Sequence, residues 1–145
     1  MRDIRRYDVY CLADRLALEV YRLTRAFPRE EMFGLSSQMR RAALSVPLNL
    51  VEGAARNSSR DFAHFIDIAL GSCEEIRYQI HFAQELGYID KTTGQEMNHR
   101  YEAVSMMLGK LRNRVRGRPA SGVRSERREA KGEKRRTANL EENDD

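Results

Sequence analysis

Two four-residue runs, Glu96-Met97-Asn98-His99 and Asp61-Phe62-Ala63-His64, set a carboxylate and an imidazole three residues apart, so that one helical turn could offer both to a metal ion. A di-metal carboxylate centre needs such a pair from each of two helices and a glutamate from each of two more, all pointing inward at one level. The positions exclude it. His64 opens one predicted helix and His99 the next, which in antiparallel neighbours separates them by roughly 30 Å at 1.5 Å per residue. Glu96 and His99 also flank the apolar stripe of their helix from outside.

Nucleophilic chemistry has no better footing. Ser45 and Ser72 fall within predicted helices with no histidine in reach, and His81 sits near the far end of its helix. Arg60 to His64 and Arg77 to His81 each leave three residues between, one short of the spacing found in metal-independent HEPN ribonucleases. No glycine-rich phosphate loop occurs. The chain is expected not to be an enzyme and to use no metal or cofactor.

What remains is a polar stripe. Gln38, Arg41, Ser45, Asn49, Glu52 and Arg56 step by three and four residues, so they share one helical face, opposite Met39, Val46 and Leu50. Glu52 precedes Arg56 by four, the favourable order for an intrahelical ion pair of about 0.2–0.5 kcal/mol. The plain reading is a solvated helix face. The sharper one is a phosphate-binding surface, since the planar guanidinium fork matches phosphate oxygens and Arg40 and Arg60 lie close enough to enlarge the patch. Pro47 interrupts this helix and removes the donor for the Ala43 carbonyl. Counted outward from the turn near Ser58, Pro47 and Gly71-Ser72 reach similar heights, so they are expected to pack together, with Ala43 and Gly53 also permitting close approach.

Four amphipathic helices must position these residues. Leu12, Leu16, Val20, Leu23 and Phe27 predict the first over about 9–27, closed by Pro28. Leu35, Met39, Ala42, Val46, Leu50 and Gly53 predict a second over roughly 30–55. Asn57, Ser58 and Ser59 break that pattern and offer a cap for a third, which Phe62, Ile66, Ala69, Cys73, Ile76, Ile80 and Ala83 mark to about 86 and Gly87 ends. Met97, Tyr101, Val104, Leu108, Leu111 and Val115 mark a fourth, capped by Thr92 or Thr93. Short connections and the lack of strand alternation predict an all-α, antiparallel up-down-up-down four-helix bundle over residues 1–116. Residues 117–145 hold only Val123 and Leu140 as sizeable apolar groups among dense charge, and are expected to form a disordered tail, basic from Arg118 to Arg136 and acidic at its end.

Composition adds a formal charge of +4 and a pI near 9.3. No segment approaches the ~18 apolar residues of a membrane span, and Cys11 and Cys73 lie far apart on predicted apolar faces, so a cytoplasmic protein with two buried free thiols is expected. Phe65, Ile68, Phe82 and Leu86 on the third helix, and Leu18 and Tyr21 on the first, fall outside the inner stripes, which favours self-association.

The run from Phe27 to Ile80 resembles the four helix bundle protein family, also called the intervening-sequence protein family because some members are encoded inside intervening sequences of bacterial large-subunit rRNA genes. The likeness rests on Phe27, Pro28, Glu31, Phe33, Gly34 and Leu35, then Gln38, Arg40, Arg41 and Ala42, then Ser45, Pro47, Asn49, Glu52, Gly53 and Arg56, and finally Phe62, Phe65, Gly71, Ser72 and Glu75. Leu48, Leu50 and Val51 are bulkier than the family pattern. The resemblance covers about residues 8–115. It implies a homopentamer without known enzymatic activity, similar to the accessory protein of diversity-generating retroelements, a basic barrel that binds nucleic acid and a reverse transcriptase. The resulting expectation is an oligomer that binds nucleic acid, RNA in preference to DNA, through Arg40, Arg41, Arg56 and Arg60. The alternative is a structural adaptor whose partner is a protein such as a polymerase or reverse transcriptase.

Overall fold

The computed structural model describes residues 2–117, and the tail expected over 117–145 lies, from residue 118 on, outside them. Four helices build the fold: α1 (Asp8–Thr24), α2 (Leu35–Ala54), α3 (Ser59–Glu85) and α4 (Lys91–Val115), with single 3-10 turns at Ile4–Arg6 and Arg29–Glu31 and no strand among the described residues. Contacts between the helices fix their directions. Arg40 of α2 reaches Thr24 at the end of α1, while Arg2, just before α1, bonds the carbonyl of Arg56, just after α2. Ser45 meets Ser72, and Gly53 meets Phe65. Cys73 meets Tyr101 and Asp67 meets Arg112; Glu19 of α1 pairs with Arg100 of α4. Each helix is therefore antiparallel to the next, and α1 closes the bundle against α4. Phe62, Leu16, Met39, Leu50, Ile66, Ile76, Ile80, Leu108 and Tyr101 fill the centre. No described helix is long and apolar enough to cross a membrane.

The helix ends depart from the sequence pattern where capping chemistry outweighs periodicity. α1 stops at Thr24, short of Phe27, because the amides of Arg25, Ala26 and Phe27 bond carbonyls three residues back and tighten the chain into 3-10 geometry ahead of Pro28. α2 starts at Leu35 and not near 30: Arg29–Glu31 is one 3-10 turn, and the Glu31 carboxylate turns back to accept the Leu35 amide at 3.0 Å. α3 has the expected serine cap, with Ser58 Oγ accepting the Asp61 amide at 3.0 Å. It ends at Gly87, whose φ of +78° lets the Tyr88 amide bond Ala83 and the Gly87 amide bond Gln84. The cap of α4 is Asp90 rather than Thr92 or Thr93. Its carboxylate accepts both the amide and the hydroxyl of Thr93, which hold it below the usual carboxylate range.

Pro47 is buried within α2. One turn around it, Asn49 Nδ2 donates to the Ser45 carbonyl at 2.8 Å and to Ser45 Oγ at 2.9 Å, and Ser45 Oγ shares a 2.7 Å hydrogen bond with Ser72 Oγ. The two helices also approach tightly further along. A Cβ on Gly53 would lie 2.7 Å from Phe65 Cβ and 2.9 Å from a ring carbon of Phe62. Gly71 contributes nothing to this approach: it is exposed, and a Cβ there would meet no atom within 4 Å. The contact falls to Ser72, because one residue turns the helix by about 100°.

The cysteines also separate. Cys73 is buried, its thiol donating to the Tyr101 carbonyl and accepting from Ser105 Oγ, and burial pushes its pKa up. Cys11 is exposed, since the buried face of α1 runs through Val9, Ala13, Leu16 and Val20 and leaves position 11 outside.

Gly53→Ala is expected to destabilise the fold by about 1–3 kcal/mol through overpacking. Gly71→Ala, in open space, is expected to stabilise by about 0.5–1 kcal/mol through helix propensity. Urea denaturation of the two variants measures both, and equal effects would contradict the assigned packing. A thiol reagent should modify Cys11 rapidly in the folded protein and Cys73 only on unfolding, which mass spectrometry of the labelled peptides reads directly.

Candidate nucleic-acid interface

The residues of the polar stripe and the arginine beside it, Arg40, have different surroundings. Arg40 is half-buried and committed: its Nε donates to Thr24 Oγ1 at 2.8 Å, Nη2 reaches the Tyr21 carbonyl at 3.4 Å, and the guanidinium lies 5.0 Å from the centre of the Tyr21 ring. It ties α2 to α1 and has little left to offer a phosphate. Ser45 and Asn49 are bound into the α2–α3 contact with Ser72. Gln38 and Arg41 are exposed, and Arg41 has neither an ion pair nor a side-chain hydrogen bond among the described residues.

At the far end of α2, Glu52 and Arg56 form the expected i,i+4 pair at 3.0 Å. Both are about half exposed, so the pair is worth only a few tenths of a kcal/mol. Arg56 also lies 4.9 Å from the centre of the Phe65 ring, an orientation that the close Gly53–Phe65 approach makes possible. Arg2 joins this group from before α1. It stacks on Phe62 at 4.7 Å and donates to the Arg56 carbonyl at 3.0 Å and Ser59 Oγ at 3.3 Å.

Arg60, in the first turn of α3, faces the last turn of α4. Between them Asp67 holds two arginines at once, Oδ1 accepting from Arg112 Nη1 at 3.1 Å and Oδ2 from Arg116 Nη2. A cleft of about 440 Å³ opens here, lined by Ser59, Arg60, Ala63, His64, Asp67, Val115 and Arg116. Sequence reasoning missed Arg2, Arg112 and Arg116. The spacing of Arg112 and Arg116 puts both on one face, but nothing in the order of residues says that this face meets Asp67.

Charge is accordingly distributed unevenly. The end of the bundle formed by the first 3-10 turn, the start of α1, the α2–α3 turn and the end of α4 carries Arg2, Arg5, Arg6, Arg56, Arg60, Arg112, Arg114 and Arg116 against Asp3, Asp8, Glu52, Asp61 and Asp67. Over the rest of the described chain, acids and bases are equal in number. A second cleft, of about 460 Å³ between α3 and α4, holds His81 and His99 with Arg77, but also Glu85 and Glu102. His64 and His99 thus line different clefts, and among the described residues no group of three or more potential ligands could hold a metal ion. Arginine forks at one end can hold phosphate oxygens, and only there are cations in excess.

The family model for the 23S rRNA-intervening sequence protein matches residues 5–110. Among solved structures, the chain is similar to a protein of unknown function from the S23 ribosomal protein family of Bacteroides thetaiotaomicron, at 21% identity and a TM-score of 0.64, over 71% of this chain and 96% of that one. That likeness shows a shared fold. No curated protein matches the chain.

The two adjacent arginines should behave oppositely. Arg40→Ala is expected to lower stability by about 1–2 kcal/mol, since it removes the hydrogen bonds to Thr24 Oγ1 and the Tyr21 carbonyl and the contact with the Tyr21 ring. Arg41→Ala should stay within about 0.5 kcal/mol of the parent. Thermal melts of the two variants test the assignment.

Proposed function

This chain belongs to the 23S rRNA-intervening sequence protein family, and from that premise we propose that it is a non-enzymatic, cytoplasmic, oligomeric nucleic-acid-binding protein that takes RNA in preference to DNA. The observation that carries this reading is the collection of the described chain's entire positive excess at one end of the bundle, around Arg56 and Arg60. Arginines contacting phosphates release counterions, which gives sequence-independent affinity. The chain continues from this end, beyond Gly117, into the stretch Arg118–Arg136, with eight bases against Glu126, Glu129 and Glu133. Arg41, exposed and without an ion pair among the described residues, stands apart from this cluster, about 22 Å back along α2 beyond Ser45 and Asn49, and offers a second phosphate contact. Arg40 is left out.

Self-association follows from apolar side chains that the bundle does not cover. Leu44, Leu48 and Val51 form a ridge along α2, Leu18 and Tyr21 lie on α1, and Ile68, Tyr78, Phe82 and Leu86 on α3; Phe33, ahead of α2, is 92% exposed. Such surface on a lone monomer is a liability and in an assembly is an interface. A ring, five-membered as the family likeness implies, multiplies a weak phosphate patch through effective concentration. The ridge beside Arg41 also favours a second reading, an adaptor that docks a protein such as a polymerase or reverse transcriptase.

Light scattering should give a mass that is a multiple of the 16.8 kDa chain. For RNA, log affinity should fall linearly with log salt, by about 0.7 per phosphate contacted. Arg41→Ala with Arg56→Ala should weaken binding, flatten that slope and leave the oligomer intact. Binding without salt dependence, or unchanged in the double variant, would overturn the proposal. Dissociation of the oligomer by Arg41→Glu would favour the adaptor.

A further inference from the structure

The cleft between the first turns of α3 and the last turn of α4 is set apart within the basic end by one carboxylate, Asp67, that binds two arginines at once. Arg60, His64 and Asp67 recur at i, i+4 and i+7, so they share the face of α3 that meets α4. Asp67 is the one carboxylate lining the cleft, and each of its oxygens is already occupied by a different arginine. The pairing leaves Arg112, Arg116 and Asp67 with a surplus of one positive charge, and Arg60, which makes no ion pair or side-chain hydrogen bond among the described residues, adds another. Arg116 spends Nη2 on Asp67, and among the described residues its Nε and Nη1 have no partner, while the bond to Asp67 fixes its direction. Val115 and Ala63 supply an apolar wall, and His64 a ring N–H. The start of α3 adds the positive end of its helix dipole.

We propose that this cleft binds a phosphate group, with Arg60 and Arg116 contacting its oxygens, His64 donating a further hydrogen bond, and Asp67 acting as the positioning residue for Arg116. The surplus of two charges matches a phosphomonoester, which carries about −1.5 to −2 at neutral pH, better than a backbone diester with a single charge. Two sources share that chemistry: inorganic phosphate, and the terminal phosphate of a nucleic-acid strand. The second rests on the reading of the chain as a nucleic-acid-binding protein, and the first stands without it.

The test uses the full chain. Inorganic phosphate is titrated against chloride at matched ionic strength while the histidine ring resonances are followed by NMR. Phosphate should shift His64 saturably and leave His81 and His99 in place, and the shift should be lost in Arg60→Gln and Arg116→Gln. Arg60 is exposed and makes no side-chain bond, so Arg60→Gln should fold normally, which circular dichroism checks. A short RNA is then compared with and without a 5′-phosphate. The phosphorylated strand should bind about tenfold more tightly, equal to about 1.4 kcal/mol, and that ratio should collapse toward one in Arg60→Gln. If phosphate shifts His64 but neither RNA binds, the cleft stands with free phosphate as its ligand and the nucleic-acid reading falls. If both RNAs bind equally and phosphate leaves His64 in place, or moves it as much in Arg60→Gln, the cleft proposal is overturned and nucleic-acid binding remains.

Discussion

The approach of α2 to α3 at Gly53 is the constraint on which the basic end of the bundle depends. With no side chain at Gly53, α2 can rest directly on Phe62 and Phe65, and van der Waals attraction is gained only at such short range. The same two rings become platforms for cations: Arg56 lies over Phe65 and Arg2 over Phe62. Two arginines thereby reach the helix turn with their stems packed and their charges facing outward. A wider spacing would open Phe62, now fully buried, to water and take the Phe65 ring from beneath Arg56.

Pro47 acts in the same contact from further along. Its ring cannot donate to the helix ladder, and the polar knot of Ser45, Asn49 and Ser72 sits one turn around it, at a place where the neighbouring helix is buried against it. Ser45 and Asn49, which read as part of a ligand-binding stripe, are thus bonded to each other and, through Ser45, to Ser72. The stripe divides into a structural middle and two exposed ends, of which the α3-proximal end joins the basic cluster.

Asp67 organises the other side of that cluster. A single carboxylate between two arginines holds both at less than the repulsion they would otherwise exert on each other, so the cations at the end of α4 stay together rather than splaying apart. Charge at this end is therefore arranged as well as abundant. Antiparallel packing brings the start of α3 beside the end of α4, so residues some fifty positions apart in sequence contribute to one surface.

The number of helices, their inner faces, the serine cap of α3 and the glycine stop at Gly87 were all legible in the sequence, because apolar periodicity and local capping are written within one or two turns of chain. The Glu52–Arg56 pair was legible for the same reason. Where a near neighbour could do the same task, the sequence left the choice open: Asp90 caps α4 in place of Thr92 or Thr93, Ser72 and not Gly71 of that pair meets α2, and Cys11 sits just off the buried face of α1. Only the tertiary structure decided which arginines remain available. Arg40 and Arg41 are adjacent and chemically identical, yet one is locked onto Tyr21 and Thr24 of another helix and the other stands in solvent. Likewise Asp67, Arg112 and Arg116 meet only because two helices run antiparallel at one register. Local pattern specifies an element and its buried face; the partner of a polar side chain is set by what the opposite helix brings to the same height.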